Sequence, residues 1–129
     1  MNNELEEIKK DYLVELESWA GLSMTPGIQS YIVANDKSLY QYHRYMRKTL
    51  FIEEHNIPLE GLSKIGTITD ETYNKIIDFI NNKIIGKEFE VINMRDGRIS
   101  INGIYNGIDF KVSNYIDLYN ELKEIILNK

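Results

Sequence analysis

Apolar residues recur along this chain with two different periods, and the change of period divides it. In the first twenty residues Leu5, Ile8, Tyr12, Leu16 and Trp19 fall at steps of three and four, the spacing of one helix face. Glu4, Glu6 and Glu7 stand where the positive end of a helix dipole favours carboxylates, and Gly21 is a natural stop. Thr25-Pro26 reads as an N-cap and first helical residue of a short second helix. That helix would turn Ile28, Tyr31 and Ile32 inward and end at Asn35 and Asp36. A third helix is expected from about Ser38 to about Glu54, with Leu39, Tyr42, His43, Met46 and Leu50 on its core side. The stretch HNIPLEGLSKIG that follows, punctuated by Pro58, Gly61 and Gly66, reads as a loop.

Thr69 caps the next helix, with Asp70 and Glu71 in its first turn and Tyr73, Ile76, Ile77, Ile80 and Ile84 as its stripe. After Gly86 the period drops to two. EFEVINMR, RISINGIY and IDFKVS alternate as strands of an antiparallel meander, separated by the tight-turn dipeptides Asp96-Gly97 and Asn106-Gly107. Asn102-Gly103 competes as a turn, but Asn106-Gly107 gives better matched strands and leaves Gly103 inside one, where a helix is expected to approach closely. Tyr115, Leu118, Tyr119, Leu122, Ile125 and Ile126 hold helical spacing to the end. The pattern thus predicts an α+β fold in one domain, 1–129. An N-terminal three-helix segment over 1–56 is followed by α-β-β-β-α over 67–129, with a three-stranded antiparallel meander. Trp19 and Phe110 are expected in the core.

Composition narrows the functional classes. The chain has 129 residues, 43% hydrophobic and 27% charged, enough apolar material for one real core. A net charge of −5 disfavours general nucleic-acid binding. With no cysteine, disulfide scaffolds and thiolate metal sites are excluded, and a cytoplasmic location is expected. The start, MNNELEEIKKD, does not read as a signal peptide, and no stretch reads as a membrane span. Isoleucine, asparagine and lysine are abundant and alanine occurs only at Ala20 and Ala34, a bias that points to an AT-rich genome.

Candidate chemistry is sparse. SLYQYHRYMRK carries cations beside aromatics, and no acidic residue occurs between Asp36 and Glu53. As a helix over 38–51 it would present Tyr40, Arg44, Arg47 and Lys48 outward, to an acidic protein partner or to phosphate and bases. With the short helix before it, the segment has the outline of a helix-turn-helix. On the far face of the meander, Ile92, Met94 and Ile104 would share a small apolar patch, covered by the N-terminal helices or by a partner, a homodimer included. No serine elbow, phosphate-cradling glycine loop or paired histidine centre is present, so no catalytic residue, metal or cofactor is expected. The order α-β-β-β-α invites comparison with double-stranded RNA-binding domains. Where those carry phosphate-binding lysines this chain reads SNYIDLYNEL, with Asp117 and Glu121, and the comparison is not adopted. The expectation is a small non-enzymatic protein acting through protein–protein contact, in the style of a phage or mobile-element inhibitor of a host defence system. A nucleic-acid-binding transcriptional regulator using helix 38–51 is the alternative.

Overall fold

The computed structural model describes residues 3–94 and 97–127. Ten elements follow one another: α1 (Asn3–Lys9), β1 (Tyr12–Ala20), β2 (Gly27–Ala34), β3 (Ser38–Tyr45), α2 (Leu50–Glu54), β4 (Glu60–Thr67), α3 (Asp70–Lys83), β5 (Gly97–Tyr105), β6 (Ile108–Ser113) and α4 (Ile116–Leu127). The six strands form one sheet in the order β4-β3-β2-β1-β5-β6, and every neighbouring pair is antiparallel.

The α+β character stands, but the expected N-terminal three-helix segment does not exist. Among the described residues only the short α1 is helical before residue 50, and 12–20, 27–34 and 38–45 are strands. The helical stripe Leu5, Ile8, Tyr12, Leu16, Trp19 was assembled from two elements. Leu5 and Ile8 belong to α1, whereas Leu16 and Trp19 lie on opposite faces of β1. Asn35 and Asp36 turn a β-hairpin rather than end a helix. Lys37 N–H closes onto Ala34 O at 3.0 Å, Ser38 N–H donates to the Asp36 carboxylate at 2.9 Å, and Lys37 takes a φ of 72°. This is a three-residue hairpin loop with its last residue left-handed.

The meander is corrected too. Glu88–Met94, expected as its first strand, lies outside the sheet, and β1 occupies the place beside β5, pairing Leu16 with Ile101 and Glu15 with Asn102. The displaced segment is tied instead to the start of α4. Glu90 N–H donates to Tyr115 Oη, Asn114 Nδ2 donates to Ile92 O, and Phe89 meets Tyr115 edge-on at 4.9 Å. The Asp96-Gly97 turn falls partly outside the described residues, as does Arg95. The β5–β6 hairpin does turn at Asn106-Gly107, with φ of 51° and 75°, as a two-residue loop requires.

Helices α3 and α4 lie together on one face of the sheet. Ile76, Phe79 and Ile80 of α3 and Tyr119, Leu122 and Ile126 of α4 form a continuous core with Leu16, Val33, Ile101 and Val112. Thr69 caps α3 by accepting Thr72 N–H at 3.1 Å. Gly103 sits against the carbonyl oxygen of Leu13, where a Cβ would come within 2.2 Å of that oxygen and 2.5 Å of the Phe110 ring. The close neighbour is therefore the irregular start of β1, where the register to β2 shifts between Tyr12 and Val14, not a helix.

The other face stays open over most of its area. Tyr12, Ile32 and Tyr42 form a second, small core there, roofed by Leu5 and Ile8 of α1 and flanked by Tyr40, Leu62 and Ile104. Trp19 also points to this side. It is half-buried under Arg98, whose guanidinium lies 5.4 Å from the ring centre, and Phe110 is half-buried as well.

Candidate functional site: an apolar end and an open sheet face

Strand β3 decides the fate of the basic aromatic segment. Along a strand side chains alternate, so Tyr40, Tyr42 and Arg44 point to the open face while Gln41, His43 and Tyr45 point to the helix side. Tyr40 and Arg44 end up about 13 Å apart along the strand, with Tyr42 between them. Arg47 and Lys48 lie beyond the strand, in the exposed segment leading to α2. The helix expected over 38–51 is therefore absent, and with it the helix-turn-helix outline. An alternating strand cannot gather four residues that a helix would place on one side.

Both histidines have structural partners. His43 stacks on Tyr45 at 4.5 Å and bonds Pro58 O at 2.8 Å through Nε2. His55 lies against Phe51 at 4.2 Å and bonds Phe51 O at 2.9 Å through Nδ1. Among the described residues no three His, Cys, Asp or Glu side chains converge as a metal site, and no helix is long and apolar enough to cross a membrane.

On the open face several buried polar groups answer one another, while Ser30 Oγ and Asn102 Oδ1 are buried without a hydrogen-bond partner among the described residues. Glu15, only 2% exposed, accepts from Lys9 Nζ at 2.9 Å and from Asn102 Nδ2 at 3.2 Å. Asn102 Nδ2 also reaches Ser100 Oγ at 3.1 Å. Glu17, two residues along the same face, is held above the ordinary carboxyl range by burial first and by the neighbouring Glu15 second. Burial pushes the Tyr12 hydroxyl up to about 12. Tyr42 is also raised to about 12, by burial and by its bond to Glu60 Oε2 at 2.6 Å. A cavity of about 780 Å³ between α1 and the sheet is lined by Lys9, Lys10, Arg44, Glu6, Glu60, Tyr42 and Leu5. Its charges are of both signs and several are already paired, Lys9 with Glu15 and Lys10 with Glu7.

The patch expected from Ile92, Met94 and Ile104 does not come together on the sheet. Ile104 lies on the open face of β5 against the small Tyr12, Ile32 and Tyr42 core, while Ile92 and Met94 belong to the irregular segment before β5. Among the exposed large apolar residues, four stand at one end of the sheet. The β1–β2 connection carries Leu22 and Met24, the β3–α2 connection carries Met46, and Leu50 opens α2, each between 59% and 83% exposed. The two connections are fastened together at the backbone. Met46 N–H donates to Pro26 O at 2.7 Å, and the Thr49 hydroxyl, which also caps α2, donates to Met24 O at 2.6 Å. Gly27, at the root of this end, packs so closely on β3 that a Cβ would lie 2.3 Å from Arg44 O. Arg47 and Lys48 sit in the same connection as Met46, and among the described residues neither forms an ion pair.

No protein-family model matches this chain, and neither a curated protein nor a solved structure is similar to it.

Proposed function

We propose that this is a non-enzymatic binding protein that docks on another protein through its apolar end. Leu22, Met24, Met46 and Leu50 would enter an apolar pocket on the partner, with Arg47 and Lys48 meeting carboxylates at its rim. The observation that supports this reading is the exposure of four large apolar side chains, three on two connections that backbone and hydroxyl bonds hold in place and Leu50 at the start of α2. Small soluble domains seldom keep such a patch in water without a use for it. Methionine suits the task because its unbranched, polarisable side chain adapts to the surface it meets. Arg47 and Lys48 beside it, which form no ion pair among the described residues, favour an acidic partner and would speed encounter. In the role of an inhibitor, the occupant would be a protein of the host. The nucleic-acid alternative relied on a helix that the chain does not form, and the open face that now carries Tyr40 and Arg44 also carries Glu15, Glu17, Glu60 and Asp109.

Comparative affinity capture from the cells that make the protein tests this. Wild type and the Met24→Glu/Met46→Glu variant are used side by side, with quantitative mass spectrometry. The reading expects a protein enriched by wild type and lost with the variant, whose circular dichroism and melting are unchanged. Equal capture by both would move the interface away from this end. Capture of nucleic acid that Arg44→Ala abolishes would favour the alternative.

A further inference from the structure

Strand β4 ends the sheet, with β3 on one side and a free edge on the other. Tyr45 N–H bonds Leu59 O at 2.7 Å, which fixes how the edge is presented. In an antiparallel ladder residues alternate between bonding inward and outward. Leu59, Gly61 and Ser63 therefore spend their backbone groups on β3. Glu60, Leu62 and Lys64 aim theirs away from the sheet, while their side chains lie on the open face opposite Arg44, Tyr42 and Tyr40. The stretch reads LEGLSKI from Leu59 to Ile65. Read from both ends towards its centre, it is apolar opposite apolar, acid opposite base, small opposite small, with Leu62 in the middle.

We propose that β4 is a self-pairing edge: two copies of this chain join β4 to β4, antiparallel, about a two-fold axis through Leu62. The outward-bonding residues are even-numbered, so the ladder can slide only by whole pairs. Centred on Leu62, Glu60 faces the partner's Lys64 and Lys64 faces the partner's Glu60, while Leu59 meets the partner's Ile65 on the helix side. Centred on Gly61 or Ser63, both charges lose their opposite numbers. The register on Leu62 uses outward groups only and forms roughly six inter-strand hydrogen bonds. Glu60 gives one oxygen to the Tyr42 hydroxyl, Oε2, and keeps Oε1 for the partner's lysine. Leu59 and Ile65 are both exposed in the single chain and gain cover together. The irregularity in β4 opposite Leu39 and Tyr40 falls at Ile65, so the regular run covers the Glu60, Leu62 and Lys64 positions that carry the hydrogen bonds, and Ile65 makes its contact from the bulge.

The opposite edge, β6, has a related pattern in Asp109, Phe110 and Lys111. There the flanking pair would be Ile108 with the partner's Val112, and Val112 is already buried under α4. The β4 edge thus gains the larger new apolar contact. Strand pairing alone buries less than the ~1,000 Å² of a tight interface, so the dimer is expected to be reversible, in the micromolar range.

Sedimentation equilibrium of the full chain over a wide concentration range tests the proposal. Wild type should show a monomer–dimer equilibrium. Lys64→Glu sets glutamate against glutamate at both charge positions and should weaken dimerisation by about tenfold or more. Glu60→Lys should do the same, and the double swap Glu60→Lys/Lys64→Glu should restore the dimer. Mixing the two single variants should yield a heterodimer, since each then supplies what the other lacks. Asp109→Lys, on the other edge, should change nothing, and circular dichroism verifies that each variant is folded. A wild type that stays monomeric at millimolar concentration, a dimer indifferent to Lys64→Glu, a swap that fails to restore association, or a dimer lost in Asp109→Lys would each overturn the proposal.

Discussion

Lys9 Nζ lies 2.9 Å from Glu15 Oε1, and this ion pair fastens α1 to the middle of the sheet. The carboxylate is almost wholly buried and the lysine about one-third exposed. Breaking the pair from the lysine side leaves a buried charge with only Asn102 to answer it, which is the costly way to break it. Lys9→Ala is expected to destabilise the protein by roughly 1–3 kcal/mol, discounted from a fully buried pair because the lysine reaches water. Glu15→Gln removes the charge itself and should cost less. Urea denaturation of the two variants checks this order.

Glu17 gives a pH dependence of definite sign. Its carboxyl binds a proton more tightly in the folded chain than the ordinary 4.5, through burial and the nearby Glu15. Between the ordinary and the raised value the folded state holds more protons than the unfolded one, so stability falls as pH rises through that window. Above the window the charge of Glu17 is a standing cost. Glu17→Gln should therefore be more stable than wild type at neutral pH, with the difference vanishing as pH falls through the ordinary carboxyl range. Thermal melting across pH measures it. A variant less stable at neutral pH would show that the Glu17 charge is compensated by Lys9, Lys111 and Arg98, whose fields oppose the shift.

Gly103 and Leu122 probe the two sides of the core. Gly103→Ala drives a methyl group against Leu13 O and the Phe110 ring and should cost about 1–3 kcal/mol by overpacking. Leu122→Ala opens a cavity between α4 and the sheet and should cost about 2–5 kcal/mol. Chemical denaturation reads both. Met24→Ala, on the exposed end, should leave the midpoint almost unmoved.

The half of the chain after residue 67 was largely legible because its signals are local. Thr69 caps, Ile76 and Ile80 repeat with the helical period, and Asn106-Gly107 can hardly be anything but a turn. The exception is Glu88–Met94, whose alternation is that of a strand although β1 takes its place. Which strand pairs with β5 is settled by contacts between residues as far apart as Val14 and Gly103, and no local pattern carries that. The first half misled for a different reason. Val14, Leu16 and Ser18 alternate with Glu15 and Glu17, but a stripe running from α1 into β1 imitates helical spacing better. In β3 aromatics occupy both faces, so Tyr40, Tyr42 and Tyr45 show no clean period. The density of aromatic and β-branched residues in Ile28–Val33 and Tyr40–Tyr45 was the usable signal. Of the apolar end, only Arg47 and Lys48 were picked out, on charge. Helical spacing places Met46 and Leu50 on a core side, and nothing in the sequence says that Leu22 and Met24 meet their segment.

The central claim is that the apolar end is the surface a partner covers. It is tested most directly by placing a photo-crosslinking amino acid at position 24, at position 46 and, as a control on the open sheet face, at position 111, and irradiating the cells that make the protein. The account predicts that one protein species crosslinks from positions 24 and 46 and not from 111, and that its band persists in a Lys64→Glu background. A partner crosslinked from 111 but not from 24 or 46 would contradict it.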